Sequence, residues 1–242
     1  KRRRQVIVAT TRPSPHQTQR APAMSSVEEI LGGLAEADEI DLSDQKIGDA
    51  GAKQLADGMA KGIVATEIYL DGNEISDKGC NALTKALDGN ETVASISLVS
   101  NQIADGAVNK LAELLEKNMT LTTVDLRDNK ITDGGAVKLA KVIETNATIQ
   151  RLYLKDNNIG DDGAKALAEA VVKNKSLKQL DMEANLLTAE GATSLTEAAE
   201  KSKKEINCGY QKNGFRATGY KKEGTTAEVI DSASSGGIFA SR

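Results

Sequence analysis

Between Leu121 and Ala136 the chain reads LTTVDLRDNKITDGGA, which gathers Asp125, Asp128 and Asp133 around Arg127, Asn129 and the pair Gly134 and Gly135. Carboxylates at that density could ligate a hard cation, which takes oxygen donors from a short loop, or could work as a general acid and base. A calcium loop wants oxygen ligands at its first, third and fifth positions, a glycine behind them and a distal glutamate. Counted from Asp125, the third position is Arg127, so the stretch fails as a cation loop. Imidazole chemistry has as little material. His16 is the only histidine and stands near the N-terminus, which leaves no His-based triad or His metal site for the rest of the chain. There is no GxxxxGK[ST] loop and no Gly-rich nucleotide fingerprint. The expectation is therefore no catalytic residue, no cofactor, no metal and no small-molecule substrate.

The same residues acquire another meaning once the chain is searched for internal periods. Asn73, Asn101, Asn129, Asn157, Asn185 and Asn213 stand 28 residues apart, with Gln45 one period earlier. Apolar columns keep step: Ile40, Ile68, Ile96, Val124, Leu152, Leu180 and Cys208; Leu42, Leu70, Leu98, Leu126, Leu154, Met182 and Tyr210; Ile47, Ile75, Ile103, Ile131, Ile159, Leu187 and Phe215. Alternating apolar positions predict a short strand in each unit. The second half of each unit predicts a helix with a leucine stripe facing inward, Leu55, Leu83, Leu111, Leu139, Leu167 and Leu195. One such strand cannot bury its own face, but stacked copies form a parallel sheet with helices behind it. Asp49, Asp77, Asp105, Asp133 and Asp161 recur at the helix starts, where a carboxylate meets free amides and the positive end of the dipole. Each asparagine falls where the chain turns inward after the strand, and its amide is expected to bond backbone groups of its own and the adjacent coil. The aspartates and asparagines that suggested a site are thus read as architecture.

These columns fit LxxLxLxxNxL, most cleanly in LTTVDLRDNKI, and the chain resembles the leucine-rich repeat family, its period that of the ribonuclease-inhibitor-like subfamily. The resemblance covers residues 39–215 and implies an α/β leucine-rich-repeat solenoid: a curved horseshoe arc with a parallel β-sheet on the concave face and helices on the convex face. The expected organisation is a basic extended arm over 1–24, a capping helix over 25–38, about seven 28-residue repeats over 39–215 with the last degenerate, and an extended tail over 216–242. Ser25 to Glu28 and Ser26 to Glu29 have capping-box spacing, which supports the helix.

The net charge of −4 hides a basic arm on an acidic body. Residues 1–26 hold six Lys or Arg and no acid, leaving 31 − 6 = 25 basic against 35 acidic residues beyond them. No apolar run reaches the ~18–20 residues of a membrane span. Cys80 and Cys208 lie about five repeats apart, too far for a disulfide, and read as small buried residues of a reducing compartment. The Asn-x-Ser/Thr sequons at Asn90, Asn118, Asn146 and Asn174 also recur at 28, so helix ends explain them better than glycans. The Arg-rich, acid-free arm matches organelle transit peptides and admits a plastid or mitochondrial interior beside the cytoplasm.

Function must then lie in surfaces. The strand positions facing away from the helices combine acid in the first, second and sixth repeats with Arg127, Arg151 and Lys155 beside Tyr153. Such a mixture argues against a nucleic-acid groove and suits a protein partner. Tyr69, Asp71, Arg127, Arg151, Tyr153 and Lys155 are the concave candidates, Tyr and Arg being enriched among binding hot spots. The arm and tail are too polar to fold alone. Arg2, Arg3 and Arg4 offer a charge anchor, and Tyr220 and Phe239 apolar anchors, for a scaffold or linker subunit of a larger assembly. The alternatives are an actin regulator similar to tropomodulin-type caps and a regulator of a small GTPase.

Overall fold

A computed structural model describes residues 6–8, 38–209, 211–214, 216–217 and 229–230. The expected capping helix over 25–38 lies outside the described residues but for its last residue, and Arg2, Arg3, Arg4, Tyr220 and Phe239 lie outside them too. Eight strands form one parallel sheet in chain order. They are β1 (Val6–Val8), β2 (Glu39–Asp41), β3 (Glu67–Tyr69), β4 (Ser95–Ser97), β5 (Thr123–Asp125), β6 (Arg151–Tyr153), β7 (Gln179–Asp181) and β8 (Glu205–Asn207). Between successive strands from β2 onward run α1 (Gly48–Ala60), α2 (Asp77–Leu87), α3 (Asp105–Leu115), α4 (Asp133–Ile143), α5 (Asp161–Lys173) and α6 (Ala189–Ser202). A small antiparallel pair, β9 (Arg216–Ala217) and β10 (Val229–Ile230), follows. This is the α/β solenoid of stacked strands and helices that the resemblance to leucine-rich repeats implies. Within the span expected as an extended arm, Ile7 pairs with Ile40, so the sheet begins one strand before the first repeat.

Each strand of the parallel sheet is three residues long, and such strands hold only because every neighbour repeats the same layer. The central residue of each, from Ile40 to Ile206, is buried, and Leu55, Leu83, Leu111, Leu139, Leu167 and Leu195 close the layer from the helix side. The core is consequently an aliphatic stack, with hydrogen-bonded ladders along its edges.

The first ladder is the asparagine column. The Asn101 side chain accepts from the backbone N–H groups of Asn73 (3.2 Å) and Ile75 (2.9 Å) and donates to the Leu70 carbonyl at 2.9 Å. Asn157 accepts from Ile131 and donates to the carbonyls of Leu126 and Leu154. The residue before Gln45 and before each asparagine from Asn73 to Asn185, namely Asp44, Gly72, Ser100, Asp128, Asp156 and Ala184, has a left-handed backbone with φ between 52° and 65°. That turn aims the amide back under the strand.

A second asparagine ladder runs along the helix ends. The Asn118 carbonyl oxygen accepts from Thr120 and Leu121, and its NH2 group donates to the carbonyls of Leu87 and Asn90 in the preceding repeat. Asn174 makes the same set with Ile143 and Asn146. Both side chains are buried. The sequons are helix-end structure, as expected.

The aspartates cap helices, but the helices of the following repeat. Asp49 accepts from Ser76 N–H at 2.8 Å and Gly79 N–H at 2.9 Å, and Asp133 does so from Gly160 and Gly163. Each helix's own first amides are met by Ser76, Thr132 or Thr188 hydroxyls where those residues occur. The carboxylate thus couples repeats, because the stacked helix places the neighbour's free amides within its reach.

The last repeat departs from the expected register. Gln179 pairs with Glu205, so the unit is 205 − 179 = 26 residues long. Ile206 takes the strand column expected for Cys208, Cys208 that of Tyr210, and Gln211, fully buried, takes the ladder position expected for Asn213. Gln211 accepts from Asn185 N–H at 2.9 Å and donates to the carbonyls of Met182 and Cys208. The reason lies after α6, where SKKEI replaces the Asn-x-Ser/Thr turn. Lys203 ends the helix in a left-handed conformation with φ 58°, and the Lys204 ammonium donates to the carbonyls of Val171 and Asn174, standing in for the missing asparagine amide. Burial lowers the pKa of Lys204. Cys80 and Cys208 are buried free thiols, raised by that burial to about 12 and about 11.

Candidate partner-binding surface

Parallel pairing in strict register sets three columns of side chains on the sheet face that turns away from the helices. The first holds Glu39, Glu67, Ser95, Thr123, Arg151, Gln179 and Glu205, and the second Asp41, Tyr69, Ser97, Asp125, Tyr153, Asp181 and Asn207. The third follows two residues further on: Ser43, Asp71, Val99, Arg127, Lys155, Glu183 and Gly209. Gln211, which a strict count of 28 from Glu183 would put on this face, is instead inside the last turn, a consequence of the two-residue shift.

The structure brings Arg127, Arg151, Tyr153 and Lys155 together on β5, β6 and the turns after them, but not as a free basic cluster. The Arg127 guanidinium grips Asp125 through Nε at 2.9 Å and a terminal nitrogen at 2.6 Å. The Asp125 carboxylate raises the Arg127 pKa, and the cation lies 5.5 Å from the centre of the Tyr153 ring. Arg127 is thereby clamped between a buried carboxylate and an aromatic face, a geometry that favours guanidinium over ammonium. Lys155 is paired with Glu183 at 2.5 Å. Arg151 is exposed; its Nε donates to the Thr123 hydroxyl at 3.1 Å, and it forms no ion pair among the described residues. Tyr153 donates its hydroxyl proton to Gln179 at 2.9 Å, and burial raises its pKa.

At the other end, Tyr69 donates to the Glu67 carboxylate at 2.5 Å, which pushes the phenol up to about 12. Asp71 is turned into the sheet. It accepts from the Ser97 hydroxyl at 2.5 Å and from Val99 N–H at 3.0 Å, and burial raises its pKa. It serves the scaffold as much as the surface. Between the Tyr69 and Arg127–Tyr153 groups, β4 and the turn after it contribute only the small side chains of Ser95, Ser97 and Val99.

Sequence reasoning missed the partners that hold these side chains: Asp125 and Glu183, which neutralise Arg127 and Lys155, and Gln179, which accepts from the Tyr153 hydroxyl. The signal was present, since Asp125 and Arg127 are two apart on one face and Lys155 and Glu183 occupy one column in adjacent repeats. Away from this face the described surface offers shallow furrows between helices, such as one of about 350 Å³ lined by Asn81, Lys85, Lys110, Glu113 and Lys117. Among the described residues no group of three or more His, Cys, Asp or Glu side chains converges as metal ligands would, and no helix is long and apolar enough to cross a membrane.

A family model described as Leucine Rich repeat matches residues 117–140 and 145–168. No curated protein matches the chain. Among solved structures it is similar to the Leiomodin-1 Actin-Binding Site 2, with a TM-score of 0.52 and 20% identity over 63% of this chain and 87% of that one. It is also similar to the C-terminal domain of Caenorhabditis elegans tropomodulin, with a TM-score of 0.53 and 17% identity over 63% of this chain and 93% of that one. At these identities the likeness is one of fold.

Proposed function

Since this chain is a leucine-rich-repeat protein, we propose that it is a non-enzymatic interaction module that binds a protein partner on the concave sheet face, and that it serves as a scaffold or linker subunit of a larger assembly. The observation that carries this reading is the contrast between the two faces. The buried face and the edges are committed to packing and to three hydrogen-bonded ladders, whereas Tyr69, Tyr153, Arg127 and Arg151 stand on a continuous platform with their polar ends oriented by neighbours. Oriented aromatic and guanidinium groups lose less conformational entropy when a partner covers them, and these residue types dominate binding energy at interfaces. The free cysteines and the Arg-rich arm support a reducing compartment, in the cytoplasm or an organelle interior. The 28-residue period with a helical second half supports the ribonuclease-inhibitor-like subfamily.

Native size-exclusion from source cells followed by cross-linking mass spectrometry tests both parts. Elution in a particle much larger than 25.6 kDa, with cross-links from lysines flanking the concave face such as Lys155, is the expected result. Elution as a monomer, with a partner footprint on the convex helices, would overturn it. A second reading, actin binding, is supported by the name of one fold neighbour, an actin-binding site. Co-sedimentation with filamentous actin separates the two, since a scaffold for another partner stays in the supernatant.

A further inference from the structure

The three concave columns hold eight carboxylates against Arg127, Arg151 and Lys155, so the face as a whole is acidic. Beyond the paired Asp125 and Glu183 stand Asp181 and Glu205, with one exposed cation, Arg151, among them. At the other end Glu39, Asp41, Glu67 and Asp71 form no ion pair among the described residues, and the columns hold no cation on β2, β3 or β4. The bond to Glu67 raises the Tyr69 phenol and the charges of Glu39 and Asp41 add to it, so these groups stand close together. Tyr69 and Tyr153 share one column. Tyr153 has the Arg127 guanidinium 5.5 Å from its ring centre, whereas among the described residues no cation lies over the Tyr69 ring. The chain carries guanidinium groups where the sheet begins. β1 pairs with β2, Val6 opposite Glu39 and Val8 opposite Asp41, and the run Lys1, Arg2, Arg3, Arg4 leads into it through Gln5. Strands stack about 4.8 Å apart, which puts the Glu39 row about 5 Å and the Glu67 row about 10 Å from β1. Arg2 is four residues before Val6, a span of at most about 14 Å. The β2 and β3 rows are within that span, whereas Asp181 on β7 is about 29 Å away.

We propose that the acidic β2–β3 end of the concave face is a docking site for an arginine-rich segment, and that its occupant is the chain's own Lys1–Arg4 run, laid from β1 across Glu39, Glu67 and Tyr69. An arginine placed there meets a carboxylate and an aromatic face together, the pairing that Arg127 makes with Asp125 and Tyr153. Exposed ion pairs are individually weak, but the tether through β1 keeps the run at a high effective concentration beside the acids. The contact stands apart from the concave-face reading; only its consequence rests on that reading, since a partner bearing Lys or Arg has to displace the run to reach Glu39 and Glu67.

The test is competition on the full chain with a fluorescent tetra-arginine peptide at low salt, followed by anisotropy. Arg2→Gln, Arg3→Gln and Arg4→Gln combined, which leave β1 unchanged, are expected to tighten peptide binding about three- to ten-fold over wild type. Adding Glu39→Gln and Glu67→Gln is expected to remove that gain, and raised salt to remove it as well. Lys85→Gln, Lys138→Gln and Lys141→Gln on the convex helices take away the same net charge and are expected to leave binding near the wild-type value. Equal binding by wild type and the arginine variant, an equal gain in the lysine variant, or a gain that survives loss of the two glutamates would overturn the proposal. Masking that grows with protein concentration would do so too, because the run would then dock on a second copy. If the peptide test fails while cross-links of the native partner map to the concave face, the docked run is wrong and the partner reading survives; a convex footprint with the masking intact keeps the docked run and removes the partner reading.

Discussion

Replacing Gly163 by alanine sets helix propensity against the inter-repeat cap and lets the geometry choose the sign. Gly163 is the third residue of α5, and in an isolated helix the change would stabilise by up to about 1 kcal/mol. Here a Cβ would stand 2.6 Å from Ile159 Cγ2, 2.7 Å from Asp133 Oδ1 and 2.8 Å from Ala136 Cβ. Ile159 and Ala136 are both fully buried, so neither can retreat. Overpacking of this kind costs about 1–3 kcal/mol. Displacing Asp133 also breaks its bond to Gly163 N–H, 2.9 Å long and charge-assisted, a further ~1.5–3 kcal/mol. The balance is a net loss of roughly 2–4 kcal/mol, opposite to the propensity. Position 107 is the natural control, because it holds Ala107 at the corresponding place, and there Asp77 bonds only Ala104 N–H, at 2.7 Å. Urea unfolding followed by circular dichroism suits a chain without Trp, and the midpoint of Gly163→Ala should fall by about 1 M. A midpoint that is unchanged or raised would refute the claim that Asp133 and the tight helix contact hold this junction.

Three further outcomes follow from the ladders and the buried acids. Asn157→Leu leaves Ile131 N–H and the Leu154 carbonyl without their side-chain partner, for a loss of about 2–5 kcal/mol in the same assay; a loss under about 0.5 kcal/mol would mean water replaces the amide. Ala184 has φ 53°, so Ala184→Gly should raise stability by about 0.5–1 kcal/mol, and a drop in the urea midpoint would contradict the strain argument. Burial raises the Asp181 carboxyl above its ordinary value, so wild-type stability is favoured below the unfolded pKa and is lost as pH rises through the folded one. Asp181→Asn, which cannot ionise, should therefore be more stable than wild type at pH 7 by a margin that vanishes below the carboxylate range; a margin independent of pH would count against it.

The layer of the fold that sequence carries best is the one repeated at fixed spacing. Ile68, Leu70, Asn73 and Leu83 recur as buried residues in every central unit, so the period alone locates them. What escaped is what happens where a column changes chemistry. Gln211 enters the ladder because the last unit is two residues shorter, which sets it four residues past Asn207 as Asn185 is four past Asp181, and Lys204 supplies an ammonium where an asparagine amide was expected; neither substitution preserves residue type, so counting by 28 passes over both. The carboxylates of Asp49 to Asp161 were located correctly as caps, yet which helix they cap depends on the stacking distance between repeats, which no single repeat encodes. On the concave face the sequence named Arg127, Tyr153 and Lys155, but pairing with Asp125 and Glu183 is decided by side-chain reach across and along strands.

The separation of duties between faces explains why a chain so regular inside can be irregular outside. Ladder residues and the backbone of adjacent repeats answer one another at the turns, so the three columns on the concave face carry little of the stacking, and their types can vary from Glu39 to Ser95 to Arg151 without disturbing register. Where the surface residues do reach back into the scaffold, as Asp71 does to Ser97 and Val99, the cost appears as a carboxylate pushed up by burial. The cations near β6 show a third arrangement, neutral as pairs and fixed in direction. A partner meeting Arg127 already clamped on Asp125 and Tyr153 gains little Coulomb energy from it but loses little entropy in ordering it. Arg151, the acids of β2 and β3, Asp181 and Glu205 form no ion pair among the described residues, so on the proposed concave-face reading they are the charges left to answer those of a partner.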